Sequence, residues 1–170
     1  VHATPASFYA NVNSRRQYED IALQLRYHSV DYFIGGGRKH FNRREDKRDL
    51  IAEMENEGYK IVNNIDNYDG YKNKKLGFFT YADEPPPINT GRKPSLEVLV
   101  NSTLDKLKSD DKPFFLMVEA SQIDWGGHAN DLPYVISEFK DFNKAISNAL
   151  DFAKLNGNTL IVVTADHETG

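Results

Sequence analysis

The sequence predicts an α/β fold: a mostly parallel sheet with helices on both faces. Three observations carry this. Short apolar runs alternate with segments whose apolar residues recur at helical spacing, the order that builds parallel sheets. Glycines and prolines punctuate the ends of these segments. Two of the apolar runs, Phe114 to Glu119 and Thr159 to Thr164, lead into carboxylate and imidazole, and open α/β sheets bind ligands beyond the carboxyl ends of their strands.

Taken in order, Ser14-Arg15-Arg16-Gln17 has the hydroxyl-to-amide spacing of a capping box. It precedes a helix whose face is Tyr18, Ile21, Ala22, Leu25 and His28. Val30 to Ile34 reads as a strand closed by Gly35-Gly36-Gly37. A second helix is expected from about Asp46 to Glu57, with Leu50, Ile51 and Met54 inward and Gly58 as its stop. Tyr59 to Val62 is a short strand, Asn63 to Lys75 a polar surface loop, and Leu76 to Tyr81 a further strand. Pro85-Pro86-Pro87 breaks regular structure. Pro94 opens a helix with Leu96, Leu99, Val100, Leu104 and Leu107 as its apolar residues. The longest helix is expected from Pro133 to Asn156, with Val135, Phe139, Phe142, Ile146, Ala149 and Ala153 inward and Gly157 at its end. No repeat or linker divides the chain, so residues 1–170 are expected to form one partial domain.

With 170 residues the chain is long enough for one domain with a real core. A formal charge of −4 and the lack of a basic stripe disfavour nucleic-acid binding. Mean hydropathy is −0.61 and no apolar run is long enough to cross a bilayer. The chain has no cysteine, so thiolate metal sites and disulfides are excluded. It opens without an initiator Met and stops inside a ligand cluster, and is therefore expected to be a fragment.

Asp124 and His128 stand four residues apart on what reads as a glycine-rich loop, where Gly126 and Gly127 allow both side chains to converge. Asp166 and His167 are adjacent at a strand end, and the chain must turn there for both to reach one ion. Glu119 ends its strand and can take a hard cation through oxygen. Singly, each has a plainer reading: a surface pair, a helix cap, a strand-end charge. Their coincidence after two strands joined by one helix favours a metal site, and carboxylate mixed with imidazole suits zinc.

These motifs resemble alkaline phosphatase. Val118-Glu119, Ile123-Asp124, His128 and Val163-Thr164-Ala165-Asp166-His167 match in the family's order. The opening His2-Ala3-Thr4-Pro5-Ala6 with Arg15, and Gly35-Gly36-Gly37-Arg38, are similar as well. The resemblance implies a three-layer sandwich, here partial. It implies two Zn2+ and one Mg2+: Asp124 and His128 on one zinc, Asp166 and His167 on the second, Glu119 and Thr4 on magnesium. Arg15 would be the catalytic residue that clamps the phosphate through its planar fork. His2 and Trp125 would lie beside the substrate, and the imidazole of His2 leaves the third metal's identity open.

The implied reaction is two-metal, in-line hydrolysis of small phosphate monoesters through a phosphoserine. The resemblance further implies a homodimer for the parent protein and a periplasmic or extracellular location. The family's serine, its bridging aspartate and a further zinc-ligand histidine have no counterpart here. Ser102 and Ser147 fall in predicted helices, and Ser121 lacks the context. The 170 residues alone are therefore expected to be inactive and to bind zinc weakly. The rival readings are another metalloenzyme of the superfamily, such as a phosphodiesterase or a cofactor-independent phosphoglycerate mutase, and a non-catalytic metal-binding or structural domain. The opening segment, His2 to Arg15, argues against the first.

Overall fold

Ser14 and Gln17 form half of the capping box that their spacing predicts, the Ser14 hydroxyl bonding to Arg16 instead of Gln17. The Gln17 amide oxygen accepts from the Ser14 N–H at 2.9 Å, and the Ser14 hydroxyl accepts from the Arg16 N–H at 3.3 Å. Helix α2 (Tyr18–Tyr27) follows and buries Ile21, Ala22 and Leu25. The computed structural model describes residues 3–27, 30–64, 75–110 and 112–169. His28, expected on the same face, lies outside them, as does most of the expected polar loop (65–74). The chain divides into two units, Val1–Pro85 and Pro86–Gly170.

The first unit begins with a short helix, α1 (Ala3–Ser7), and is built on a three-stranded parallel sheet. Strands β1 (Tyr32–Gly35), β2 (Tyr59–Val62) and β3 (Lys75–Phe79) lie in the order β1-β3-β2. Phe33 pairs with Gly77 across β1 and β3, and Ile61 pairs with Gly77 across β2 and β3. Between β1 and β2 lie α3 (Lys39–Asn42), which the sequence reading did not anticipate, and α4 (Leu50–Asn56).

Helix α4 starts later than the expected Asp46. The Asp49 carboxylate accepts from the Ile51 and Ala52 N–H groups at 3.0 and 3.2 Å and sets the start there. Asp46 is instead taken up by Arg44, whose Nε and Nη2 donate to its two oxygens at 2.9 and 2.6 Å. Gly58, at φ 94°, ends the helix as predicted.

The core of this unit is aromatic. Phe33 stands 5.2 Å from Phe79 and 6.1 Å from Tyr59, and Phe41 stands 4.7 Å from Phe79, between ring centroids. Phe41, Leu50, Met54 and Leu76 are fully buried, each contributing roughly 1.5–3 kcal/mol. The ring of Phe33 has room because its partner on the central strand is glycine: a Cβ on Gly77 would overlap that ring and come within 2.8 Å of Ile61 Cδ1.

The second unit is held by a buried ionic network. Arg92 donates to Glu138 at 2.9 and 2.8 Å and to Asp141 at 3.0 Å. The side chains of all three are at most 9% exposed. Glu138 also accepts from the Ile88 N–H at 2.7 Å. Asp141 accepts from the Leu96 and Glu97 N–H groups at 2.8 and 3.2 Å. Asp141, on α7 (Leu132–Asn156), thus caps α5 (Leu96–Asp110), and the network joins both helices to the 3-10 turn Ile88–Thr90.

This network corrects the expected orientation of α7. Tyr134, Glu138, Asp141 and Ala145 face inward, one residue round from the predicted stripe, a rotation of roughly 100°. Phe139 is half exposed. Hydrophobic patterning turns Glu138 and Asp141 outward, but Arg92 and three backbone N–H groups satisfy them inside. The ends of α7 are as expected: Asp131 caps the Tyr134 N–H at 3.0 Å, and Gly157, at φ 75°, stops the helix.

The expected strands Phe114–Glu119 and Thr159–Thr164 join no sheet among the described residues. A strand requires a ladder partner as well as apolar residues. Leu116 and Val118 pack on the cluster of Val100, Leu104 and Ala145, while Phe115 and Leu160 are largely exposed.

Two outcomes follow from these cores. Gly77→Ala is expected to destabilise the chain by about 1–3 kcal/mol through overpacking, read as a lower urea midpoint. Arg92→Met strands two buried carboxylates and is expected to cost about 3–5 kcal/mol. An unchanged midpoint for Arg92→Met would show that the network carries no stability.

Candidate metal centre

Asp124 and His128 lie on a helix, α6 (Gln122–His128), and not on the expected loop. The correction leaves their convergence intact, because residues four apart share a helical face. His128 Nε2 is 3.5 Å from Asp124 Oδ1. The glycines explain how a helix fits here. A Cβ on Gly126 would come within 2.9 Å of Val135 Cγ2 and 3.0 Å of Val135 N on α7. A Cβ on Gly127 would come within 3.1 Å of Thr169 Cγ2 on the opposite approach. Each glycine costs helix propensity, on the order of 1 kcal/mol, and in return admits a close neighbour. The buried Tyr134 hydroxyl donates to the buried Gln122 amide oxygen and adds a second tie between α6 and α7.

The chain bends at Asp166 and His167, as two adjacent ligands require. His167 Nε2 stands 3.3 Å from Asp166 Oδ2, and His167 Nδ1 donates to the Glu168 carbonyl at 2.9 Å. That carbonyl, and then the Asp166 carboxylate, raise the imidazole pKa above its ordinary value, with Asp124 adding to the effect. A metal at His167 would therefore have to displace a proton that the site favours. The two clusters are neighbours: Thr169 donates its hydroxyl to Asp124 Oδ1.

The donor set fits zinc. Ligand atoms about 2.0–2.1 Å from a tetrahedral ion stand about 3.3 Å apart. The two Asp–His pairs, at 3.5 and 3.3 Å, each span one such edge. Among the described residues no three or more metal-type side chains gather at one point, so each pair has the spacing for at most two corners of a shell.

The remaining predicted site residues are spread over both units. Glu119 and Trp125 belong to the second unit; Glu119 is half-buried and Trp125 is 41% exposed on α6. Thr4 lies in α1 and its carbonyl accepts from the Ser7 hydroxyl at 2.7 Å. Arg15 is exposed in the turn before α2. His2 lies outside the described residues.

The family model described as alkaline phosphatase matches residues 1–170. The chain belongs to the alkaline phosphatase family. It is 42% identical to alkaline phosphatase 3 of Bacillus subtilis (strain 168), over 99% of this chain and 38% of that protein. It is 36% identical to the repressible alkaline phosphatase of Saccharomyces cerevisiae, over 99% of this chain and 36% of that protein. Among solved structures, the alkaline phosphatase of the Antarctic bacterium TAB5 matches with a TM-score of 0.93 and 42% identity, over 99% of this chain and 50% of that one. The chain thus spans half or less of the length of these alkaline phosphatases, and the α/β class expected from the sequence holds.

Sequence reasoning missed three residues at the centre: Gln122, Tyr134 and Thr169. None carries a ligand-type signal. Their importance comes from what they touch. Gly126→Ala tests the close approach of α6. Alanine is the better helix former by about 1 kcal/mol, so a net loss of stability, expected at about 1–2 kcal/mol from overpacking, isolates the contact with α7. A stabilised variant in thermal unfolding would contradict it.

Proposed function

We propose that this chain is part of a phosphate monoester hydrolase that works through a phosphoserine with two zinc ions and one magnesium ion. The observation that carries the reading is the pair of Asp–His edges at zinc-ligand spacing, brought side by side in a chain of the alkaline phosphatase family. In it Asp124 and His128 hold one zinc, Asp166 and His167 the other, and Glu119 and Thr4 the magnesium. Zinc held there would supply positive charge for the reacting oxygens and an acidified water.

The chain's own residues supply the rest. Asp124 and Asp166 bring negative charge and fixed orientation. His128 and His167 offer Nε2 once deprotonated. Arg15 is always charged and presents a planar fork suited to phosphoryl oxygens, which become more negative as the reaction proceeds. Trp125, exposed on α6 beside Asp124, suits a wall of the phosphate pocket. Binding directed at the phosphoryl group favours small monoesters of many kinds.

His2 bears on the third metal. Two TAB5 alkaline phosphatase structures carry a histidine replaced by glutamate or aspartate, with magnesium bound in a site called M3. That agrees with the preference of magnesium for oxygen over imidazole. It supports the reading that an imidazole at His2 leaves the identity of the third metal open. A periplasmic or extracellular location and a homodimeric parent complete the proposal; no helix among the described residues is long and apolar enough to cross a membrane.

The 170 residues contain no counterpart of the family's serine, and each Asp–His pair covers two corners of a shell. Purified chain saturated with zinc and magnesium is expected to show no turnover of an aryl phosphate above a mock preparation, and weak zinc binding by calorimetry. A longer protein containing it is expected to turn over, and Arg15→Ala in that protein to lower kcat/KM by roughly 100-fold or more. Turnover by the chain alone, or two tight zinc sites in it, would overturn the expected inactivity. An inactive longer protein that still binds zinc would favour a non-catalytic metal-binding domain.

A further inference from the structure

We infer that Thr169 is a positioning residue for the first ligand pair: seated on Gly127, its hydroxyl fixes the Asp124 carboxylate and ties the two Asp–His pairs together. The inference rests on the proposed zinc reading of Asp124.

Two independent observations carry it. Thr169 donates its hydroxyl to Asp124 Oδ1, the same oxygen that His128 Nε2 approaches at 3.5 Å. The Thr169 side chain lies close over Gly127, with Cγ2 3.1 Å and Cβ 3.2 Å from the position a Cβ there would take, a tighter approach than most side chains make. The contact at Gly127 and the hydrogen bond to Asp124 hold the threonine at two points.

The need for such a device follows from exposure. The Asp124 side chain is 33% exposed and that of His128 is 72% exposed. A half-exposed carboxylate turns among rotamers unless something holds it, and that freedom is lost on binding a metal. A hydroxyl already bonded to one oxygen removes part of this cost beforehand. Groups hydrogen-bonded to metal ligands typically matter by 10- to 100-fold in metal affinity. Thr169 also lies close in sequence to Asp166 and His167, so gripping Asp124 brings the second pair up to the first.

The test uses the 170-residue chain with two variants. Thr169→Val keeps the shape against Gly127 and removes the hydroxyl; Thr169→Ser keeps the hydroxyl and removes the methyl. Two readouts are taken: the Asp124 side-chain carboxyl 13C resonance in metal-free protein at fixed neutral pH, and zinc affinity by calorimetry. Thr169→Val is expected to move the resonance and weaken zinc by about 10-fold, with the thermal midpoint unchanged. Thr169→Ser is expected to restore both. If Thr169→Val leaves resonance and affinity at wild-type values, the positioning role is wrong while the zinc reading stands. If the wild-type chain takes up no zinc, the weak zinc binding proposed for these 170 residues fails. The resonance then decides alone: a shift in Thr169→Val reversed in Thr169→Ser upholds the grip on Asp124, and no shift overturns it.

Discussion

The second unit depends on the missing side chains of Gly126 and Gly127. Helix α6 carries Asp124 and His128, and its position is set by how closely it approaches its neighbours. Gly126 lets it lie against Tyr134 and Val135 of α7, and Gly127 admits Thr169. Substituting either would widen a contact on which the ligand spacing rests. Glycine is a poor helix residue, and its presence twice in so short a helix makes sense only where tertiary contacts repay the lost propensity.

Behind α6, helix α7 is fixed by a different kind of force. The Arg92 network places two carboxylates in the interior, where they cap α5 and hold the turn at Ile88. Because those carboxylates are directional acceptors, they specify one rotation of α7, which an apolar stripe alone does not. Tyr134 then comes to face Gln122. The orientation of α6 therefore traces back to the buried ion network of Arg92, Glu138 and Asp141.

The two Asp–His pairs share a design. Each puts a carboxylate oxygen and an imidazole nitrogen at a separation that one zinc can span, by different local means: a helical turn for Asp124 and His128, a chain bend for Asp166 and His167. Thr169, three residues beyond Asp166, meets Asp124 and so brings two motifs far apart in sequence near each other. Arg15 and Thr4, also candidates, belong to the first unit.

The sequence by itself determined the candidate residues and the closeness of Asp124 to His128 and of Asp166 to His167, the helix stops at Gly58 and Gly157, and membership of the family. These follow from local chemistry: side-chain donors, capping geometry and positive φ are properties of a few adjacent residues. Tertiary structure decided the rest. It made a helix of the expected loop at 122–128, because α7 and Thr169 pack on its glycines. It turned α7 by one residue, because Arg92 satisfies Glu138 and Asp141 from outside the helix. It left 114–119 and 159–164 unpaired among the described residues, because a strand needs a partner that no local pattern supplies. Thr169 carries no signal in the sequence, since only folding brings its hydroxyl to the Asp124 carboxylate.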